Sequence, residues 1–572
     1  MAEQDHKKNI HGTKYSLHRS LSIMEGDTKE IPHMTIHHAF EDIVKSSRAS
    51  GPISEKVAIR FGDRVTTFGQ LNGKANSLAR ALKFQLVNNK KVDFSGDKQH
   101  IVALFMSESD TAVMSALSVL KLGAAYTVMD KILPPDRIKY IIDQAGVAAI
   151  VATEDNIEYL KAANLGDDTL VLSLSDLLNY AQSANLSEDN IPDIDGLPGF
   201  DEKLGMCIVI YTSGSTGSPK GVRISHASLL NNFNYIWDVV NLKEGDVTSA
   251  MTSLMFIPHA TDIFCPLLQG LPVVIVPKSI KQDPEELIEL LDRENVSVIP
   301  FIAPSLLDVI LQFVQMFDDP KIQTLRFANV GGEAVPTQIV HDFYDYFNEG
   351  VVLVDSWGLT ETSNDATWME FRGKKDIAEG VFDEGVSIGV PLHNTIAYIV
   401  NEKGEAVSHG EVGELCISGV CVSPGYMDKE NAFSFVPNTL RKQSGHETLF
   451  KTGDFAKIKN GRLVYCGRRD QMVKIRGYRV NISEIETAIN KLDFIEKVAV
   501  LPVKRSETDV YLVGFYSCRP GKSAEANDIR KACEASLTPY MIPERFVKLD
   551  EMPLKEASAK TDRNALKQLL GK

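Results

Sequence analysis

Between residues 67 and 152, and again between 271 and 314, short apolar runs alternate with amphipathic helical stretches. That alternation confines the chain to parallel sheets covered by helices. In the first series Thr67 and Gln70 form a capping box, and Leu71, Ala75, Leu78, Ala79 and Leu82 recur on one helical face. The run "IVALFM", the helix "DTAVMSALSVLKLGA", the run "AYTVMD", the helix "PPDRIKYIIDQAG" begun by Pro134 and Pro135, and the strand "VAAIVAT" follow. The second series reads "LPVVIVP", "DPEELIELLDREN", "VSVIPFI" and "PSLLDVILQFV". After residue 350 the texture changes to short strands and glycine turns, "TIAYIVNEKGEAV", "GEVGELCISG" and "FAKIKNGRLVYCGRRD", which predict a smaller, more antiparallel sheet. The last stretch opens on "NISEIETAINKL", with Ser483 and Glu486 as a capping box, and continues through "KVAVLPV", "VYLVGFYSC" and "EANDIRKACEASL". It predicts a compact α+β unit of about 100 residues, bounded near Asp470.

A length of 572 residues and 44% hydrophobic content suffice to fill several cores. The formal net charge of -15 opposes nonspecific attraction to nucleic acid or anionic lipid, so a bound anion must be held by a local site. Seven scattered cysteines with no CxxC pair read as buried thiols in a reducing compartment. No apolar run reaches transmembrane length and the first residues lack a signal-peptide core, so a cytoplasmic protein is expected. His6, His11, His18, His33, His37 and His38 have no metal-ligand spacing, and residues 1–34 are expected to be a disordered polar tail.

The stretch "YTSGSTGSPKGV" reads as a strand, a flexible turn and then a helix. Gly214, Gly217 and Gly221 permit exposed backbone NH groups, Thr212, Ser213, Ser215 and Thr216 add hydroxyls, and Lys220 adds a cation. These groups suit a phosphate, although a serine-rich surface turn has the same composition. The spacing is not that of a Walker A loop.

This stretch is followed in order by "VGGEAVP", "DSWGLTET", "GELCISG", "FKTGDFAKIKNGRLVYCGRRDQMVKIRGYRV" and "MPLKEASAKTDRNAL". That succession resembles the adenylate-forming (AMP-binding) superfamily over nearly all of residues 35 to 572. "LKLGAAYTVMD", "KIRGYRVNISEIE" and "VSIGVPLHNTIAYIVN" look most like amino-acid adenylation domains of nonribosomal peptide synthetases. "VVIVPKSI" and "DYFNEGV" are shared with the Ebony-like animal stand-alone type. The resemblance implies an α/β fold: a large domain over residues 35–470 with two helix-covered, mostly parallel sheets and a small distorted barrel-like sheet. A small mobile α+β domain over 471–572 follows.

The resemblance also implies a reaction, attack of a carboxylate on the α-phosphate of ATP with magnesium as cofactor, and roles for its parts. Thr212, Ser213, Gly214, Ser215, Thr216, Gly217 and Lys220 would cradle the β and γ phosphates, Thr360 would touch the α-phosphate, and Glu361 would hold the metal. Gly331, Gly332 and Glu333 would line adenine, with Asp355 near its amino group and Ser356 and Gly358 alongside. Trp357 would offer the stacking face where relatives usually carry tyrosine. Asp454 would bind the ribose with Arg468 close by. Lys560 would reach the carboxylate and the bridging phosphate oxygen, although "PLKEASAK" is one residue longer than the usual motif and has Ala559 in place of glycine. Asp470 would be the pivot on which the small domain turns, bringing the loop of Lys474 and Gly477 into the site for transfer to a pantetheine thiol.

Domains for ordinary α-amino acids place an aspartate where this chain has Ile257, followed by Pro258. An unpartnered buried ammonium costs roughly 3 to 5 kcal/mol, so an α-amino acid is disfavoured. Asp365 falls where β-alanine-activating relatives carry a pocket aspartate, which favours a β- or ω-amino acid. Thr261, Phe301, Ser356 and Asn364 would complete the wall. The competing reading makes Asp365 structural and the substrate an uncharged acyl or aryl acid. His259, beside Pro258, reads as structural. No carrier attachment motif is present, so coenzyme A, an amine or a carrier on another chain is the expected acceptor unless the chain is part of a longer protein. A luciferase-like oxygenase and a catalytically dead nucleotide binder are the rival classes; Thr360, Glu361, Asp454 and Lys560 argue against the second.

Overall fold

A computed structural model describes the chain except residues 1–5, 11–12, 32–34, 91, 93–98, 166–168, 191–204, 214–218, 318–320, 379–386, 429–432, 469–471, 507, 554–560 and 571–572. The first alternating series forms a six-stranded sheet in the spatial order Leu170–Ser173, Ala149–Ala152, Ile101–Phe105, Ala125–Met129, Met206–Thr212, Lys220–Ser225. Its strands pair in parallel except the last. Every residue of Ile101–Phe105 and Ala125–Met129 is buried, as expected of strands covered on both faces. The helix Phe68–Lys90 starts at the predicted capping box, with Thr67 N bonded to Gln70 Oε1 and Gln70 N to Thr67 Oγ1.

One prediction in this sheet is corrected. The hydroxyl-rich turn does not lead straight into a helix: it closes an antiparallel pair, Thr212 facing Lys220 and Tyr211 facing Gly221. The helix His226–Val240 begins only after the strand Lys220–Ser225. Val222 and Ile224 are fully buried at period two, an alternation too short to stand out beside the helical pattern that follows it.

The second series builds another parallel sheet through Val57–Phe61, Val273–Ile275, Thr248–Ala250, Val298–Ile302, Phe327–Gly331 and Val352–Trp357. Helices Pro284–Arg293, Pro304–Val314 and Thr337–Tyr346 share an apolar core with it. Antiparallel Thr367–Phe371 extends it and passes, through Ser387–Pro391, into the predicted antiparallel sheet of Arg462–Arg468, Thr448–Lys459, Gly413–Gly419 and Thr395–Val400.

The N-terminal segment is also corrected. Thr13–Leu17 and Ile23–Gly26 are strands, and the latter pairs with Thr395–Val400, so that Met24 faces Ala397. Tyr15, Leu17 and Met24 are buried, and Tyr15 Oη donates to Gly461 O at 2.9 Å. Polar residues and histidines make the segment hydrophilic on the whole, but its alternate positions supply enough apolar surface to add an edge to the sheet.

The small domain carries the hairpin Met472–Ile475 and Tyr478–Asn481, a sheet of Ile495–Lys504, Val510–Cys518 and Arg545–Lys548, and helices Ile482–Asn490, Ala526–Glu534 and Arg563–Leu570. Its first helix is capped by Asn481, whose side chain accepts from Ser483 N at 3.0 Å, rather than by the predicted Ser483 and Glu486. Glu486 instead accepts from Val500 N at 2.7 Å and pairs with Arg563 at 2.5 Å, tying the last helix to the domain.

Candidate active site

Thr212, Ile302, Gly331 and Trp357 are the last residues of strands from both parallel sheets, and ligands of open α/β sheets gather at such carboxyl ends. A cavity of about 970 Å³ opens there. Of the residues singled out in the sequence, Thr212, Ser213, Gly332, Gly358, Thr360, Ile257, Pro258, Phe301, Asn364 and Asp365 line it from the large domain, and Lys474 and Gly477 from the small one. Gly214, Ser215, Thr216, Gly217, Asp470 and Lys560 lie outside the described residues.

The turn after Trp357 is shaped by close approach. A Cβ on Gly358 would stand 1.8 Å from Asn364 O, so only glycine lets residues 358–365 fold back on themselves. The return passes through Ser363 and Asn364 at φ 55° and 103°. Thr362 Oγ1 accepts from Leu359 N at 2.9 Å and Asn232 Oδ1 from Asp365 N at 3.1 Å, which hold this backbone in place. Gly331 is confined too, though less tightly, since a Cβ there would lie 2.6 Å from Ser356 Oγ.

Glu361, in this turn, is 1% exposed. Tyr426 Oη donates to its Oε1 at 2.9 Å and Arg479 Nη1 to its Oε2 at 2.6 Å. Burial alone would raise its pKa, but the Arg479 charge and the hydrogen bonds outweigh that and hold it below the usual carboxylate range. Lys220 Nζ stands 5.3 Å from the Tyr426 ring and 5.1 Å from that of Phe433. Ser213 Oγ donates to Arg479 O at 2.9 Å, and Gly477 N donates to Glu333. Thr212 Oγ1 and Asp355 Oδ2 are buried without a hydrogen-bond partner among the described residues. The hydroxyls, the orphaned Thr212 Oγ1 among them, suit a triphosphate, and Glu361 is a carboxylate that would suit its magnesium once the Arg479 guanidinium is withdrawn.

Asp454 sits at a bulge within the strand Thr448–Lys459, after Gly453 at φ 75°. Arg468 Nη1 donates to its Oδ1 at 2.6 Å. Burial lowers the Lys474 pKa, with Asp454 and Glu333 opposing and Arg468 and Arg479 adding to the effect, so the small-domain hairpin brings a lysine into this polar group. Trp357 departs from expectation: its ring is 7% exposed, belongs to the main apolar core and does not line the cavity. Its strand alternation turns the ring inward, so the expected stacking face is not presented in this pose.

In the cavity wall, Asn364 Nδ2 donates to Thr261 Oγ1 at 3.2 Å and to Asp365 Oδ2 at 3.1 Å. Burial pushes Asp365 up to about 6, against the polar side chains of Ser356 and Asn329 nearby, which favour its charged form. Asp355 is raised well above the carboxylate range by burial, with the Asp365 charge adding to it. His259 is bonded on both sides, to Tyr126 Oη at 2.8 Å and Phe256 O at 2.6 Å, in keeping with a structural residue.

Several residues that matter here were not singled out in the sequence. Arg137 and Glu484 form an ion pair at 2.8 Å between the domains, both less than 8% exposed. Phe256 meets Tyr478 edge to face at 4.8 Å, and Tyr478 stacks on Tyr540 at 4.0 Å. Arg479 stood in a quoted motif without a role, and Tyr426 in none; their importance arises from contacts to Glu361 across 118 and 65 residues of chain.

The AMP-binding enzyme family matches residues 47–427, and the AMP-binding enzyme C-terminal domain matches 484–560. The chain is 31% identical over 562 residues to the beta-alanyl-bioamine nonribosomal peptide synthetase ebony of Drosophila melanogaster, covering 96% of this chain and 61% of that protein. It is 30% identical over 523 residues to zwittermicin A synthase ZmaJ of Bacillus cereus, covering 90% and 92%. It spans 61% of the first of these curated relatives and 11% of the gramicidin S synthase 2 of Brevibacillus brevis. The solved adenylation domain AlmE of Vibrio cholerae, in complex with glycyl-adenosine-5'-phosphate, superposes with a TM-score of 0.76 at 21% identity, covering 95% of this chain and 99% of that one, a likeness of fold. With its two-domain fold and a cleft rich in hydroxyls and carboxylates between them, the chain belongs to the AMP-binding enzymes, the adenylate-forming ligases.

Proposed function

We propose that this chain activates a carboxylic acid with ATP, forming an acyl-adenylate and pyrophosphate, and then passes the acyl group to a thiol or an amine. The observation that carries the proposal is the buried Glu361, next in the chain to Thr360 of the cavity wall and joined through Arg479 to Ser213, which lines the same cavity with Thr212. One anion must attack another, so the chain's task is to place cations and oriented donors where charge gathers. Thr212, Ser213 and the rest of the hydroxyl-rich turn would bind the phosphates, with Lys220 as the nearby cation. Thr360 would orient the α-phosphate, Gly332 and Asp355 would meet the base, and Asp454 with Arg468 the ribose. Glu361 would hold magnesium, which when bound supplies positive charge to the phosphates. Lys560 would deliver a second cation from the small domain, turning about Asp470. The cytoplasm, where ATP is abundant, is the proposed setting.

For the carboxylate we favour a β- or ω-amino acid. Ile257 offers no charge to an α-ammonium, whereas Asp365, buried in the wall of the cavity, suits an amine set further from the carboxylate. The β-alanyl specificity carried in the name of a 31% identical relative supports the same class. An uncharged acyl or aryl acid is the second reading. It is favoured by the neutral Asn364 amide already on Asp365 and by a pKa raised to about 6, which make a carboxyl tolerant of an apolar partner. The acceptor is proposed to be coenzyme A, the phosphopantetheine of a carrier in trans, or an amine. Pyrophosphate exchange with β-alanine, longer ω-amino acids, α-amino acids, aryl acids and fatty acids tests the reading: β- or ω-amino acids should exchange fastest. A clear preference for glycine would overturn the use made of Ile257.

A further inference from the structure

The hairpin of the small domain docks on the groups that the proposed function assigns to the metal and the outer phosphates. Arg479 does so twice. Its carbonyl accepts from Ser213 Oγ at 2.9 Å, and its guanidinium reaches Glu361 Oε2 at 2.6 Å. The second carboxylate oxygen is already taken by Tyr426 Oη at 2.9 Å, and with Glu361 1% exposed no open face is left for another cation. A divalent ion on Glu361 would confront the guanidinium at the same oxygen, in surroundings where like charges repel strongly. Conversely, a buried carboxylate stripped of its metal is costly unless another cation replaces it. Arginine suits that task, being permanently charged and easily desolvated.

We infer that Arg479 and the divalent metal are alternative occupants of Glu361, so that metal–pyrophosphate must leave before the small domain takes the pose seen here, and returning metal–pyrophosphate expels the hairpin. The inference rests on the reading of Glu361 as the metal-holding carboxylate. It makes the emptied metal site the signal that permits the second half-reaction. By linkage, whatever stabilises this pose weakens metal binding by the same factor. The Arg137–Glu484 pair is one such contact, remote from Glu361 in sequence.

The test uses the whole chain without ATP. Mn2+ binding is followed by electron paramagnetic resonance, and the separation of the domains by spin labels at the exposed Glu289 and Lys531, with Cys466 replaced by serine. Arg479→Ala should bind Mn2+ about tenfold more tightly than the wild type, the factor expected if the docked pose holds about nine-tenths of the molecules. Arg479→Lys, which keeps the competing charge, should stay near the wild-type value. Magnesium with pyrophosphate should shift the wild-type distance distribution away from the docked pose, and Glu361→Gln should abolish both that shift and the tight Mn2+ binding. Because the key result is a gain of affinity, a misfolded variant cannot mimic it. Equal Mn2+ affinity in Arg479→Ala and wild type, or a distance unmoved by magnesium and pyrophosphate, overturns the inference while leaving Glu361 as a metal ligand. Undiminished Mn2+ binding in Glu361→Gln overturns that reading itself, and the inference with it.

Discussion

A carboxylate buried like Asp365 titrates where enzymes are assayed. With its pKa raised to about 6, it is charged at pH 7.5 and largely protonated at pH 5. If it holds the substrate ammonium, kcat/KM for a β- or ω-amino acid should fall about tenfold on going from pH 7 to pH 5, and a pH profile of pyrophosphate exchange would measure it. Asp365→Asn should flatten that profile and raise the amino-acid KM about 100-fold or more, the loss of a buried charge partner, while the KM for ATP stays within about twofold. An unchanged amino-acid KM would return Asp365 to a structural role. Lys560→Ala should lower pyrophosphate exchange at least about 100-fold yet spare acyl transfer from a supplied adenylate, measured in single turnover. At this scale the sequence is legible for position wherever a residue stands in a motif, as for Thr212, Thr360 and Asp365, which line the cavity. It is not legible for Tyr426 and Arg479, whose importance comes from the carboxylate they converge on.

Elements are plain in the sequence where periodicity runs long and obscure where it runs short. The helix Phe68–Lys90 announces both its face and its cap, because a 23-residue pattern outweighs local noise. The strand Lys220–Ser225 has six residues and leads directly into a helix cap, so its alternation merges with the helical pattern. The cap of Ile482–Asn490 lies two residues before the expected one because Asn481 and Ser483 are both good capping residues, and the preceding hairpin decides between them. Replacing Asn481 with alanine should therefore cost about 1 kcal/mol in urea denaturation, more than Ser483→Ala. The turn from Gly358 to Asp365 is less forgiving. Gly358→Ala would drive a methyl into Asn364 O and displace Glu361 with it, so adenylation should drop by about two orders of magnitude or the protein should fail to fold cooperatively, as calorimetry would report.

For the whole molecule, buried ion pairs and imidazoles set the response to mutation and pH. Arg137→Met leaves Glu484 buried and alone, which disfavours the docked pose by up to about 3 to 5 kcal/mol. Acyl transfer should slow markedly in this variant while pyrophosphate exchange remains within about twofold. His226 is fully buried, and desolvation brings its pKa down to about 3. A depressed histidine contributes stability that is present above the unfolded pKa near 6.5 and is lost as pH falls below it. Between pH 7.5 and 5.5 the wild type should therefore lose about 1 kcal/mol more than His226→Gln in urea titrations. The sequence by itself determined the two helix-covered parallel sheets, the antiparallel sheet after residue 350, the small α+β domain and the part of the cleft lining that stands in motifs, Thr212, Thr360 and Asp365 among it. Apolar periodicity and ordered motifs are local properties that survive without coordinates. Only the tertiary structure decided that the first strands join the antiparallel sheet, that Trp357 turns into the core, and that Arg479 from one domain neutralises Glu361 in the other. Those outcomes depend on which surfaces meet across hundreds of residues, and electrostatic pairing at that range leaves no periodic trace in the chain.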